Sequence, residues 1–124
     1  MAVVKRSELG RLLTPTEADN NFNYLYSDPP TVIISSGIIT VNGGGWYLVD
    51  TEGGAGSDDL TRINGCKRGE LITISSVADA RVITVIHGTM LKLQGNANAT
   101  LNSTFRLMNF RCFGSDVLVE ANYR

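Results

Sequence analysis

The sequence predicts a mainly β fold: a short N-terminal arm and helix, then one antiparallel β-domain of the sandwich or jelly-roll kind. Three observations carry this. Short β-branched runs recur from Thr31 onward, glycine and Asn-Gly signals separate them, and a single capped amphipathic segment precedes them all.

The helix is expected over residues 14–25. Thr14 stands at the N-cap, Pro15 takes the first helical position, where no backbone donor is needed, and Glu17 completes a capping box with Thr14. Leu13 and Ala18 fit the two ends of a hydrophobic staple. Ala18, Phe22 and Leu25 form one apolar stripe at i, i+4 and i+7, with Asp19, Asn20, Asn21 and Asn23 on the other sides. A helix of about twelve residues is marginal alone in water. The stripe therefore needs its own β-domain, a sister subunit or another protein to lie against. The basic arm of Lys5, Arg6 and Arg11 ahead of it favours an intersubunit or docking role, with Leu12, Leu13, Ala18, Phe22 and Leu25 as the apolar contacts. Asp28-Pro29-Pro30 ends the helical region, because each proline restricts its predecessor and lacks a donor. Residues 1–30 are thus read as arm and docking helix, and 31–124 as the β-domain.

Nine strands are expected, at 31–34, 38–41, 46–49, 60–63, 71–75, 82–87, 90–93, 105–112 and 117–123. Asn42-Gly43 and Asn64-Gly65 suit positive φ, while Ser36-Gly37, His87-Gly88 and Gly114-Ser115 mark breaks between strands. Antiparallel hairpins are the natural connection. In the last strand Val117, Val119, Ala121 and Tyr123 face one way, and Leu118, Glu120, Asn122 and Arg124 the other, so it reads as half-buried. The run from Phe105 to Phe113 does not alternate simply. Either a bulge near Asn109 reverses its facing or both its faces are covered. No long repeat is visible.

With 124 residues, 43% of them hydrophobic, the chain supports one modest core. A net charge of −1 gives no general attraction to nucleic acid or an anionic membrane, so neither is an expected partner. No apolar run approaches the roughly twenty residues of a spanning helix. Lys5, Arg6 and Glu8 stand where a signal peptide would be apolar, which points to synthesis in a cytosol. Cys66 and Cys112 are too few for a disulfide framework or a zinc site and are read as buried free thiols. Asn98-Ala99-Thr100 and Asn102-Ser103-Thr104 match the glycosylation pattern, and without a secretory signal count as chance matches.

Chemistry is sparse. His87 is the single histidine and shares a strand face with Ile83 and Val85, which gives it a structural reading. Gly43-Gly44-Gly45 lacks the Gly-Lys-Ser/Thr ending of a phosphate loop and reads as a turn. The segment 50–59 concentrates four carboxylates among glycines. Such a loop can hold calcium, but the spacing does not match an EF-hand, and a solvated mobile loop is the expectation. Nothing marks the groove that paired acids would need for glycoside hydrolysis. Trp46 and Tyr47 are strand neighbours, so one should be core and the other exposed. The exposed one is a candidate surface-recognition residue, for a sugar ring or a partner protein. No cofactor, metal or catalytic residue is expected.

The segment Arg11-Leu12-Leu13-Thr14-Pro15-Thr16-Glu17-Ala18-Asp19-Asn20-Asn21-Phe22 resembles the opening of many tailed-bacteriophage fibre and related virion proteins. There a Leu-Thr, an acidic residue, an Asp and an Asn-Phe recur on a short helix. The stretches 58–65, 69–74 and 91–95 are similar to the β-domains that follow such helices. The resemblance implies a homotrimeric, non-enzymatic virion protein, made in the bacterial cytoplasm and mediating attachment or assembly. Its N-terminal part would face other virion proteins of tail or capsid, and its β-domain would face outward toward a host surface glycan. Typical fibres continue through shafts and receptor-binding tips, which brings in a second expectation: a capsid decoration protein that stabilises the head shell. A carbohydrate-binding module using Trp46 or Tyr47 is a third.

Overall fold

The computed structural model describes residues 28–121. The expected helix at 14–25, the arm residues Lys5, Arg6, Arg11, Leu12 and Leu13, and Asn122, Tyr123 and Arg124 lie outside them. Among the described residues there is no α-helix, and 49% lie in strands. In chain order these are β1 (Thr31–Ile33), β2 (Ile38–Thr40), β3 (Gly45–Asp50), β4 (Ser57–Leu60), β5 (Arg62–Asn64), β6 (Leu71–Ser76), β7 (Val82–Val85), β8 (Leu91–Lys92), β9 (Ala99–Leu101), β10 (Met108–Gly114) and β11 (Val117–Glu120).

The strands form three sheets. The largest has the order β1-β3-β6-β10-β11-β8; β2 pairs with β5, and the third sheet runs β4-β7-β9. The expected all-antiparallel pairing is corrected here, because the sheets are mixed. β1/β3, β3/β6, β2/β5, β4/β7 and β11/β8 are parallel, and only β6/β10, β10/β11 and β7/β9 are antiparallel. The reason lies in the turns. Asn42-Gly43 and Asn64-Gly65 do not fold a strand back on its predecessor. They turn the chain onto the next face, so that each sheet receives its next strand one winding later.

Pairing partners stand 24 residues apart in β2/β5 (Ile38 with Arg62), 25 in β4/β7 (Ser57 with Val82) and 27 in β3/β6 (Gly45 with Ile72). This is a solenoid-like winding whose period leaves almost no trace in side-chain identity. The windings align Ile39 with Ile63, Tyr47 with Ile74 and Leu60 with Val85, and one continuous core joins residues of all three sheets. After β7 the direction reverses. β9 and β10 run antiparallel to β7 and β6, and β11 closes a hairpin through Ser115 and Asp116, both at positive φ as a type I′ turn requires.

Three local expectations change, and the half-burial of the last strand acquires a face. The strand expected at 60–63 is two strands: the Gly37 carbonyl accepts from the backbone N–H of both Thr61 and Arg62, which turns the chain between β4 and β5. β4 begins inside the acidic segment and β9 inside the Asn-rich one, where composition hid them. The register irregularity of β10 falls between Cys112 and Gly114, not near Asn109; Met108, Phe110 and Cys112 point inward, and Phe105 lies outside the strand, 93% exposed. In β11 it is Leu118 and Glu120 that are buried, because the register sets them opposite Cys112 and Phe110 on the core side.

The cysteines are also corrected. Cys66 and Cys112, 46 residues apart in sequence, form a disulfide. The winding carries the loop after β5 alongside β10, a proximity that sequence spacing does not encode.

Candidate functional site

One face of the six-stranded sheet lines the core, and the other faces solvent. Strand alternation decides which residues point away from the core. They are Thr31 and Ile33 of β1, Trp46, Leu48 and Asp50 of β3, Leu71, Thr73 and Ser75 of β6, Asn109, Arg111 and Phe113 of β10, Val117 and Val119 of β11, and Lys92 of β8. Ile33 (61% exposed), Trp46 (44%), Leu71 (45%) and Phe113 (52%) are four of the six large exposed apolar side chains among the described residues. A polar outer face would be the ordinary outcome for such a sheet. Trp46 and Leu71 stand on neighbouring strands two positions apart in register, and exposed apolar side chains gathered on one sheet face point to an interaction site.

Trp46 is the organised part of this face. Its indole Nε1–H donates to the Ser75 hydroxyl at 3.0 Å, and Ser75 is fully buried. The Thr73 hydroxyl, level with Trp46 on the next strand, donates to Asn109 Oδ1 at 2.6 Å. The polar edge of the ring is thus satisfied inside the sheet, while nearly half of the side chain stays in water. This is a fixed aromatic surface, with little rotamer freedom left to lose on binding.

Tyr47 points the other way. It is 6% exposed, its hydroxyl donates to the Gly43 carbonyl at 2.9 Å, and it accepts from the Asn42 N–H at 3.1 Å. Tyr47 is therefore a core residue that pins the glycine turn, and its candidacy for surface recognition is withdrawn. Of the sequence-predicted site residues among those described, only Trp46 is a surface side chain. Sequence reading missed Ile33, Leu71 and Phe113 as its companions. Their common signal was an apolar residue on the opposite parity from the core set of each strand, legible only once the register is known.

Charge is divided across the face. Asp50, at one end, pairs with Arg81 at 3.3 Å. At the other end Arg111 donates to the Gly69 carbonyl at 2.9 Å, and Arg68 to the Phe113 carbonyl at 3.2 Å. These arginines border a shallow cavity of about 170 Å³ with Gly69, Cys112 and Phe113.

The other sequence candidates have internal partners. Glu52 accepts from the Ser36 N–H, and Asp58 from the N–H groups of Glu52 and Asp59. Three carboxylates of the acidic segment, those of Asp50, Glu52 and Asp58, thus have partners within the protein, and among the described residues no group of three or more His, Cys, Asp or Glu could hold a metal ion. His87 Nδ1 accepts from the Leu93 N–H at 3.0 Å, and its own backbone N–H donates to Asn98 Oδ1 at 2.8 Å. Gly43 takes positive φ in the turn, and Gly45 does so as the first residue of β3.

No family model, curated protein or solved structure matches this chain.

Proposed function

We propose that this protein is a non-enzymatic structural component of a tailed-bacteriophage virion, a homotrimeric surface appendage of the tail-fibre type that serves attachment or assembly. The observation that carries the reading is the solvent face of the six-stranded sheet, with Ile33, Trp46, Leu71 and Phe113 exposed together. A protein whose work is to be held among other proteins needs such a face. The resemblance of residues 11–22 to virion openings supports the same reading, and the basic arm of Lys5, Arg6 and Arg11 supplies charge for an attachment point. A capsid decoration role differs only in place: anything that binds only the assembled shell stabilises it by linkage.

Copy number in purified particles separates the two positions, and sedimentation of the isolated protein reads its subunit number. A few multiples of three per particle fit the tail, and hundreds fit the capsid. A stable monomer absent from particles overturns both.

Trp46 favours one further reading, recognition of a surface glycan by stacking on the fixed indole. Titration with saccharides at millimolar concentration tests it. No binding, together with no effect of Trp46→Ala, rejects it.

A further inference from the structure

We propose that copies of this chain close a three-fold ring through a knob and a cavity: Phe105 of one copy enters the cavity that Ile38, Ile86 and Met90 line on the next. The proposal rests on the homotrimer proposed above and names its interface.

Phe105 has the character of a knob. It is 93% exposed and stands on the loop that joins β9 to β10. That loop is held in place. The Arg106 N–H donates to the Ser103 carbonyl and the Phe105 N–H to the Ser103 hydroxyl, both at 3.1 Å, and the Thr104 N–H reaches Asp79 Oδ1 at 3.3 Å. An aromatic ring held in water on a hydrogen-bonded turn gains by desolvation, and its backbone has little freedom left to lose on binding.

The cavity measures about 370 Å³ and is lined by Ile38, Ile86 and Met90 together with Thr61, Arg62 and Thr89. Knob and cavity lie beyond opposite ends of neighbouring strands in the third sheet. The knob loop follows Leu101, which pairs with Ile83 near the start of β7, whereas Ile86 follows the last residue of β7. At ordinary strand rise these two ends are about 10 Å apart, and the tie of Thr104 to Asp79 holds the knob loop at the far one. A chain therefore cannot fill its own cavity. A copy that places its knob in a neighbour leaves its own cavity for a third, and such a heterologous contact closes into a ring where the rotation allows. Between the two features the outward residues of the sheet are Ser57, Asp59, Val82, Thr84 and Thr100, all short enough for three copies to meet around an axis. The ring leaves Trp46 and the outer face of the six-stranded sheet uncovered.

Charge complements the fit. Asp59 is exposed, two residues before Thr61 of the cavity, and among the described residues no cation pairs with it. Arg62, the cavity's own cation, is already paired with Asp116 at 3.2 Å. Arg106, beside the knob, is exposed and has a single side-chain hydrogen bond, to Asn102 Oδ1 at 3.5 Å. Three copies around this face would gather three Asp59 carboxylates, and Arg106 of each neighbour offsets one of them. The ion pair sets orientation, and the buried aromatic supplies affinity.

Sedimentation equilibrium of the full chain tests this. The unaltered protein is expected at the mass of three chains. Phe105→Asp removes the knob and Thr89→Arg obstructs the cavity; each should weaken association by about thirty-fold per interface, with the β signature in circular dichroism retained. Mixed in equal amounts, these two variants should form a complex of two chains, because one intact knob still meets one intact cavity. Arg106→Asp should weaken the trimer, and Asp59→Arg in the same chain should restore it. A Phe105→Asp protein that stays trimeric overturns this interface and leaves the homotrimer standing. Absence of a two-chain complex in the mixture overturns the match of this knob to this cavity, and a mass that grows without limit overturns the ring. An unaltered chain that is monomeric at every concentration overturns the homotrimer and the interface together.

Discussion

Gly65 takes φ +101°, and a Cβ there would stand 2.0 Å from the Val41 carbonyl oxygen of the preceding winding. Both conformation and space demand glycine at this corner. Gly65→Ala is expected to lower unfolding stability by at least about 2 kcal/mol, read as a fall in the urea midpoint. Tyr47 makes a subtler case in the same region. Tyr47→Phe keeps the buried ring and removes both hydrogen bonds to the Asn42-Gly43 turn, at an expected cost of about 1–2 kcal/mol. A midpoint unchanged within error would show that the turn holds without them. These two residues explain why Asn-Gly signals were legible in sequence while their consequence was not. The pair prescribes a sharp turn with positive φ, but whether the next strand returns or moves onto another sheet depends on what it meets.

At the scale of elements, β10 does most to join the molecule. It pairs with β6 and β11, carries the fully buried Phe110, and is fastened through Cys112 to the loop that follows β5. Arg62 and Asp116 add a second tie at 3.2 Å between β5 and the β10–β11 turn, where Asp116 also accepts from the Gly65 N–H. Closing a 46-residue loop removes about 4 kcal/mol of unfolded-chain entropy in the loop-closure account. The double variant Cys66→Ser, Cys112→Ser should therefore melt at a clearly lower temperature than the oxidised protein, and a reductant should lower the oxidised protein's melting point by a comparable amount. An unchanged melting temperature on reduction would show that packing alone secures β10. Phe110→Ala should cost about 3–5 kcal/mol, because it opens a cavity where β6, β10 and β11 meet the core, and the same melting series reads it.

For the whole molecule the governing fact is that strands pair with partners a full winding away. Few of these contacts are local, and loop-closure entropy has to be met before they form. Folding of the isolated protein is expected in the millisecond-to-second range, with stopped-flow refolding of Trp46 emission as the measurement. Relaxation in microseconds would mean that structure propagates from local hairpins instead. The winding also creates the surface on which the functional reading rests. It gathers Ile33, Trp46, Leu71 and Phe113 from four strands, and no two of them are close in sequence.

The sequence by itself determined the β class, most strand positions, the positive-φ corners and the alternation that sends Trp46 and Tyr47 to opposite faces. These are local properties, written in β-branching, glycine and the two-residue period of a strand. Only the tertiary structure decided which strands are parallel, which face of β11 is buried, that Cys66 meets Cys112, and that four scattered apolar side chains share one exposed sheet face. Each of those depends on which segments the winding brings side by side, 25 residues apart in β4/β7 and 46 between the two cysteines. Register is fixed by the packing of all windings against one core, and no single segment of the chain carries it.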